Sequence, residues 1–142
     1  MERRILKKTF VDTFYVVALV NTRDEYYEKA NELVEYYDKM PLLVTDAVLL
    51  EIGNSLARSH KQAAIDVLDE FRTSDRIEIV RLDESLFEKA FELYKSHSDK
   101  SWGLVDCISF VVMREHEITD ALTHDIHFSQ AGFHPLMRET IN

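Results

Sequence analysis

Cysteine is nearly absent from this chain, and proline and glycine are scarce. One Cys among 142 residues, Cys107, leaves no partner for an intrachain disulfide and no thiolate cluster for zinc. It suits a reducing compartment, and a cytoplasmic location is expected. Two Pro and three Gly, beside 46% hydrophobic and 30% charged residues, exclude a collagen-like, low-complexity or disordered protein. The composition suits one domain, residues 1–142, around a single core. Long apolar runs are missing too. The longest, Phe14 to Val20, falls far short of the roughly 20 residues of a membrane span, so no membrane is expected as a partner. The basic start (Arg3, Arg4, Lys7, Lys8) resembles the head of an export signal. Asp12 interrupts the apolar stretch that follows, and no small-residue cleavage site comes after it. These four residues read as a solvated flank of the first strand in preference to a phosphate-binding arm.

Positive charge is also in short supply. Asp and Glu number 26 against 17 Lys and Arg, a net charge of −9. A protein that binds nucleic acid by bulk electrostatics carries the opposite sign. If this chain handles nucleic acid, metal ions or local basic residues must bridge the repulsion.

What is present is an alternation of short β-prone runs with helical periodicity. A strand is expected at 8–12, then a buried helix over Phe14–Val20. Asp24 is placed to cap a helix that runs to about Asp38 with Ala30, Leu33, Val34 and Tyr37 at helical spacing. Pro41–Thr45 is a second strand, and Asp46 is placed to cap a helix through about Ser59. Ala64, Ile65, Leu68 and Phe71 share one face of a helix over 61–73. Ile77–Val80 is the third strand. Asp83 to about His97 is a helix with Leu86, Phe87, Ala90, Phe91 and Tyr94 inward. A very apolar helix covers Trp102 to Glu115, and Ile118–Thr123 is the fourth strand. Phe128–Gly132 reads as a turn before a short fifth strand, Phe133–Leu136. The class is α/β, with a parallel sheet covered by helices on both faces. In such folds the chemistry lies beyond the carboxyl ends of the strands.

Against that frame, four acids stand in apolar surroundings. Asp12 is the one charged residue between Thr9 and Val20, at the end of the first strand. Asp106 is the one charged residue between Ser101 and Met113, on a helix apolar nearly all round. Glu51 borders an apolar stripe, and Asp125 directly follows the fourth strand. A buried carboxylate without a partner costs several kcal/mol or shifts its pKa until it is neutral. No matching set of Lys or Arg lies in these stretches. A hard divalent cation compensates them most simply, and all-oxygen ligation favours Mg²⁺ or Mn²⁺ over Zn²⁺. Such a site acidifies water and stabilises both oxygens of a phosphodiester displacement. Singly, three of the acids have an ordinary alternative, a strand-end turn for Asp12, partial solvation for Glu51 and a cap for Asp125, while Asp106 is the hardest to explain that way.

Val11-Asp-Thr, Leu50-Glu-Ile with Asn54, Leu104-Val-Asp-Cys-Ile-Ser-Phe, and Ala121 to Phe133 together resemble the PIN domain, most closely the VapC-type toxins of toxin–antitoxin pairs and their stand-alone relatives. The resemblance covers nearly the whole chain. It implies a five-stranded parallel sheet and a Mg²⁺- or Mn²⁺-dependent ribonuclease whose acidic site maps onto Asp12, Glu51, Asp106 and Asp125. His124 stands where the family usually has a small or apolar residue.

Other residues carry weaker signals. His124 and His127 flank Asp125. On an extended segment His124 points away from it. His127 either lies beside the turn with local hydrogen bonds or supports the metal or substrate, with direct ligation the lesser alternative. Cys107 reads as packing, since no basic group lowers its pKa. Ser109, Thr13 and Thr123 either orient water at the site or bond their own backbone. Asp46, Asp99 and Asp120 are left outside the site, and His60, His97, His116 and His134 read as surface or satisfied histidines. Arg58, Lys61 and Lys100 are candidate phosphate contacts. Tyr26, Tyr27, Tyr36 and Tyr37 pack in part and in part offer a docking face.

The function expected is a metal-dependent endoribonuclease acting on single-stranded RNA loops, as the toxin of a toxin–antitoxin pair. A homodimer and an antitoxin partner are expected with it. The alternative is a catalytically weak PIN scaffold that works by binding a protein. A phospho-receiver domain also clusters acids at strand ends, but its central phosphoacceptor Asp and late Lys are not evident.

Overall fold

The computed structural model describes residues 7–138; Arg3 and Arg4 of the basic flank lie outside the described residues. Strand β1 (Thr9–Val11) leads into α1 (Thr13–Val20) and α2 (Tyr27–Tyr37). Strand β2 (Leu42–Thr45) is followed by α3 (Asp46–Leu56) and α4 (Lys61–Thr73), and β3 (Ile77–Val80) by α5 (Glu84–Ser96) and α6 (Leu104–Glu115). Strand β4 (Asp120–Leu122), α7 (Ile126–Gln130) and β5 (His134–Pro135) complete the order, with a 3₁₀ turn at Leu136–Arg138.

The five strands form one parallel sheet in the order β3-β2-β1-β4-β5. Consecutive strand residues point to opposite faces. Phe10 and Val11, Leu43 and Val44, and Ala121 and Leu122 are all fully buried, so helices cover both faces. That is why these strands read as continuous apolar runs. The first strand is the central one. The chain builds outward to β2 and β3, then returns to β1's other edge with β4. This reversal between β1 and β4 opens a crevice at their carboxyl ends, the place where ligands bind in open α/β sheets.

Several local expectations change. Thr45, not Asp46, caps α3: its hydroxyl accepts the Val48 N–H at 3.1 Å, while the Asp46 carboxylate accepts the Leu82 N–H at 3.0 Å and pins the loop after β3. Asp24 accepts the Tyr26 N–H in the turn ahead of α2, and Tyr26 occupies the cap position. Trp102 precedes α6, its indole bonded to Gln130 at 2.9 Å. The expected turn at Phe128–Gly132 is mostly the end of a short helix, α7. Gly132 there takes φ +95°, and the Phe133 N–H returns to the Phe128 carbonyl. Helix α6 ends in the same way with Glu117 at φ 55°, a conformation a glycine adopts more cheaply. On α4, Ile65 faces outward. On α5 only Leu86 and Ala90 are buried; Phe87, Phe91 and Tyr94 are 41%, 42% and 45% exposed. The core beneath α5 accepts a narrower stripe than the helix offers.

Candidate active site

The crevice between β1 and β4 gathers the four acids. Asp12 follows β1 at the N-cap of α1, and Asp125 follows β4 at the N-cap of α7. Asp106 lies in the first turn of α6, and Glu51 in the middle of α3. Each of Asp12, Glu51 and Asp106 feels the charge of other members of the set.

Glu51, Asp106 and Asp125 are each held by one oxygen, and Asp12 is bonded by the Thr123 hydroxyl and the Thr13 backbone. The Thr123 hydroxyl donates to Asp12 Oδ2 at 2.7 Å and accepts the Asp125 N–H at 3.0 Å, tying the two strand ends together. The Thr13 hydroxyl donates to Glu51 Oε1 at 2.8 Å. Asp106 Oδ2 accepts the Gly103 N–H at 3.0 Å, capping its own helix. Asp125 Oδ1 accepts the His127 N–H at 2.9 Å. The second oxygens of Glu51, Asp106 and Asp125 have no hydrogen-bond donor among the described residues.

The electrostatics follow from burial. Asp12 is 4% exposed, and desolvation pushes its pKa up to about 7 against the pull of the Thr123 hydroxyl. Desolvation also raises Glu51 and Asp106, opposed by Thr13 in the first case and by Gly103 and His127 in the second. Among the described residues no Lys or Arg pairs with any of the four acids. His127 is the basic side chain that touches them: its Nδ1 lies 3.0 Å from Asp106 Oδ2 and 3.4 Å from Asp125 Oδ1. A donor set of open carboxylate oxygens around a desolvated Asp fits a hard divalent cation. Oxygen and nitrogen atoms of Asp106, Asp125 and His127 that could face a cation all lie within 4.8 Å of one another.

The neighbours that sequence left open now have places. Thr13 and Thr123 orient acids, whereas the Ser109 hydroxyl bonds the Val105 carbonyl of its own helix. Cys107 is buried, and desolvation pushes its thiol up to about 11, so it is packing and no nucleophile. His124 stacks on Tyr26 with ring centroids 4.0 Å apart and leans on Phe14 at 4.5 Å. Burial lowers its pKa. Asp46, Asp99 and Asp120 serve elsewhere, in contact with the Leu82 N–H, Lys100 and His134 respectively. Of the candidate phosphate contacts, Lys100 pairs with Asp99 at 3.4 Å and is next in sequence to Ser101, whose hydroxyl meets His127. What sequence reasoning undervalued is His127, which is more than a local turn contact. The available signal was its spacing from Asp125: the two residues are the cap and second position of a helix that the sequence disguises as a turn.

The sheet has this parallel order with acids at its central crevice, and the PIN domain model matches residues 9–134. The chain belongs to the PIN domain family. Two proteins of Mycobacterium tuberculosis, from strains CDC 1551 / Oshkosh and H37Rv, are each named 23S rRNA-specific endonuclease VapC20. Both are 35% identical over 127 residues, 87% of this chain and 94% of theirs. The crystal structure of M. tuberculosis VapC20, described as a sarcin–ricin loop cleaving toxin, is similar with a TM-score of 0.81 at 31% identity. The match covers 90% of this chain and 98% of that one.

Proposed function

We propose that this protein is an endoribonuclease of the VapC toxin type, which cuts RNA phosphodiester bonds with Mg²⁺ or Mn²⁺ held by Asp12, Glu51, Asp106 and Asp125. The observation that carries this reading is the convergence of those acids at the β1–β4 crevice with open oxygens, in a chain 35% identical to a 23S rRNA-specific endonuclease. By that likeness the substrate is a loop of ribosomal RNA, whose unpaired backbone enters a narrow cleft.

A bound divalent ion would acidify water and offset the negative charge that develops on the phosphate. The chain's own groups set the stage for it. Thr123 and Thr13 fix the rotamers of Asp12 and Glu51, and backbone N–H groups of Gly103 and His127 fix Asp106 and Asp125. Burial of Asp12 keeps bulk water away and strengthens every charge interaction in the crevice. With a net charge of −9 the protein repels RNA, so a cation at the site also supplies local attraction.

Two partners belong to the same reading. Phe14, Leu50 and Ile126 are exposed beside three of the acids and offer an apolar rim to an antitoxin segment. The aromatic face of α5 offers a surface to a second copy of the chain.

Cleavage of ribosomal RNA is the test. Mg²⁺ or Mn²⁺ should support it and EDTA should stop it. Loss of a supporting contact to a metal ligand already costs roughly 10–100-fold, so Asp12→Asn and Asp106→Asn should each lower the rate by more than about a hundredfold. Undiminished cleavage in EDTA overturns the metal mechanism.

A further inference from the structure

His127 touches two of the four acids at once and faces a third group on its far side. Ring Nδ1 lies between Asp106 Oδ2 and Asp125 Oδ1, and ring Nε2 lies 3.1 Å from the Ser101 hydroxyl. The backbone N–H of the same residue holds Asp125 Oδ1. A bare ring nitrogen repels an ionised carboxylate oxygen at 3.0 Å, so contact with ionised Asp106 puts the proton on Nδ1. In the neutral ring Nε2 is then an acceptor, and the Ser101 hydroxyl donates to it.

We propose that His127 is a positioning residue: through its ring Nδ1–H and its backbone N–H it clamps Asp106 and Asp125 side by side, and it is not itself a ligand of the ion those acids take. The clamp uses the oxygens that already face the protein. Asp106 Oδ1 and Asp125 Oδ2 stay free for the ion. A protonated Nδ1 has no lone pair to give a metal, although its distances alone match those of a third ligand.

The clamp reaches beyond the acids. Ser101 belongs to the loop between α5 and α6, and the next residue, Trp102, bonds Gln130 of α7 while stacking on His97. The loop is therefore fastened to α7 at two points, Ser101–His127 and Trp102–Gln130. That fastening holds His127 at a fixed angle.

The inference rests on the metal-centre reading above, so the experiment has one arm that needs metal and one that does not. In the first, Mn²⁺ alone is titrated into wild type, His127→Asn and His127→Ala, with bound ion read by electron paramagnetic resonance. The Asn amide N–H stands close to where ring Nδ1–H stands, but an amide nitrogen is no metal ligand. His127→Ala should lose roughly 10–100-fold in Mn²⁺ affinity, the usual cost of removing a group that orients a ligand, and His127→Asn should recover most of it. Equal loss in both variants makes His127 a ligand and overturns the proposal, as does wild-type affinity in His127→Ala. The second arm is ¹⁵N NMR of the imidazole in metal-free wild type. Nδ1 should carry the proton and donate to a carboxylate. A bare Nδ1 with a protonated Nε2 overturns the clamp whatever the ion does. Failure of wild type to bind Mn²⁺ overturns the metal-centre reading instead, and the NMR arm still decides the clamp.

Discussion

Asp12 stores a cost that only a cation or a proton removes. Its folded-state pKa, raised to about 7 by burial, lies above the ordinary carboxylate value of 3.8 that applies when the chain unfolds. For an acid this sign means that the penalty is full above the folded value and is relieved as pH falls through about 7 toward about 4. The slope reaches about 1.4 kcal/mol per pH unit for the one group. Metal-free protein should thus be more stable to urea at about pH 5.5 than at about pH 8, and Asp12→Asn should flatten that dependence. An unchanged profile in the variant would assign the effect to other groups. At this scale the sequence was informative where apolar neighbours isolate an acid, as around Asp12 and Asp106. Asp106 nonetheless has protein partners, Gly103 and His127, which its apolar neighbours do not announce. The part played by His127 depends on the angle at which α7 leaves β4, and no local pattern encodes that angle.

Among the elements, α5 is where periodicity and structure part. Its apolar residues recur at helical spacing, yet three aromatic side chains remain outside the core. Phe91 packs on Phe87 and Tyr94, and Lys95 lies over the Phe91 ring. Spacing reports how wide an apolar stripe is, not how much of it one core can accept. Such a surplus suits a second copy of the chain. Sedimentation at tens of micromolar should therefore give twice the monomer mass, and the double substitution Phe87→Ser, Phe91→Ser should give the monomer with its helical signal intact. A wild type that sediments only as monomer would rule the dimer out. Elsewhere, α4 and β3 lie where spacing puts them, although Ile65 of α4 faces outward. Helix α7 escaped because it has five residues, too few to display a period.

For the molecule as a whole, parallel order was legible because strands and helices alternate from end to end. Which strand lies at the centre was not, since β1 is no more apolar than β2. The centre matters for stability, because acids from both sides of β1 repel one another across it. An ion bound there stabilises only the folded state, by about 2.7 kcal/mol at a hundredfold excess over its dissociation constant. Mg²⁺ or Mn²⁺ should accordingly raise the melting temperature of wild type by several degrees. The rise should shrink in Asp125→Ala, with Ca²⁺-free EDTA buffer as the baseline. A melting point indifferent to both ions would count against a metal centre at the crevice.

The Thr123–Asp12 hydrogen bond joins residues 111 positions apart. A chain is translated from its first residue, so β1 waits, edge unpaired, while three acids of the crevice emerge without the fourth. A ribosome halted at Glu115 holds a polypeptide with Asp12, Glu51 and Asp106 but neither β4 nor the threonine that aligns Asp12. Until residues 120–125 have docked beside β1, the crevice lacks both Asp125 and the threonine that aligns Asp12.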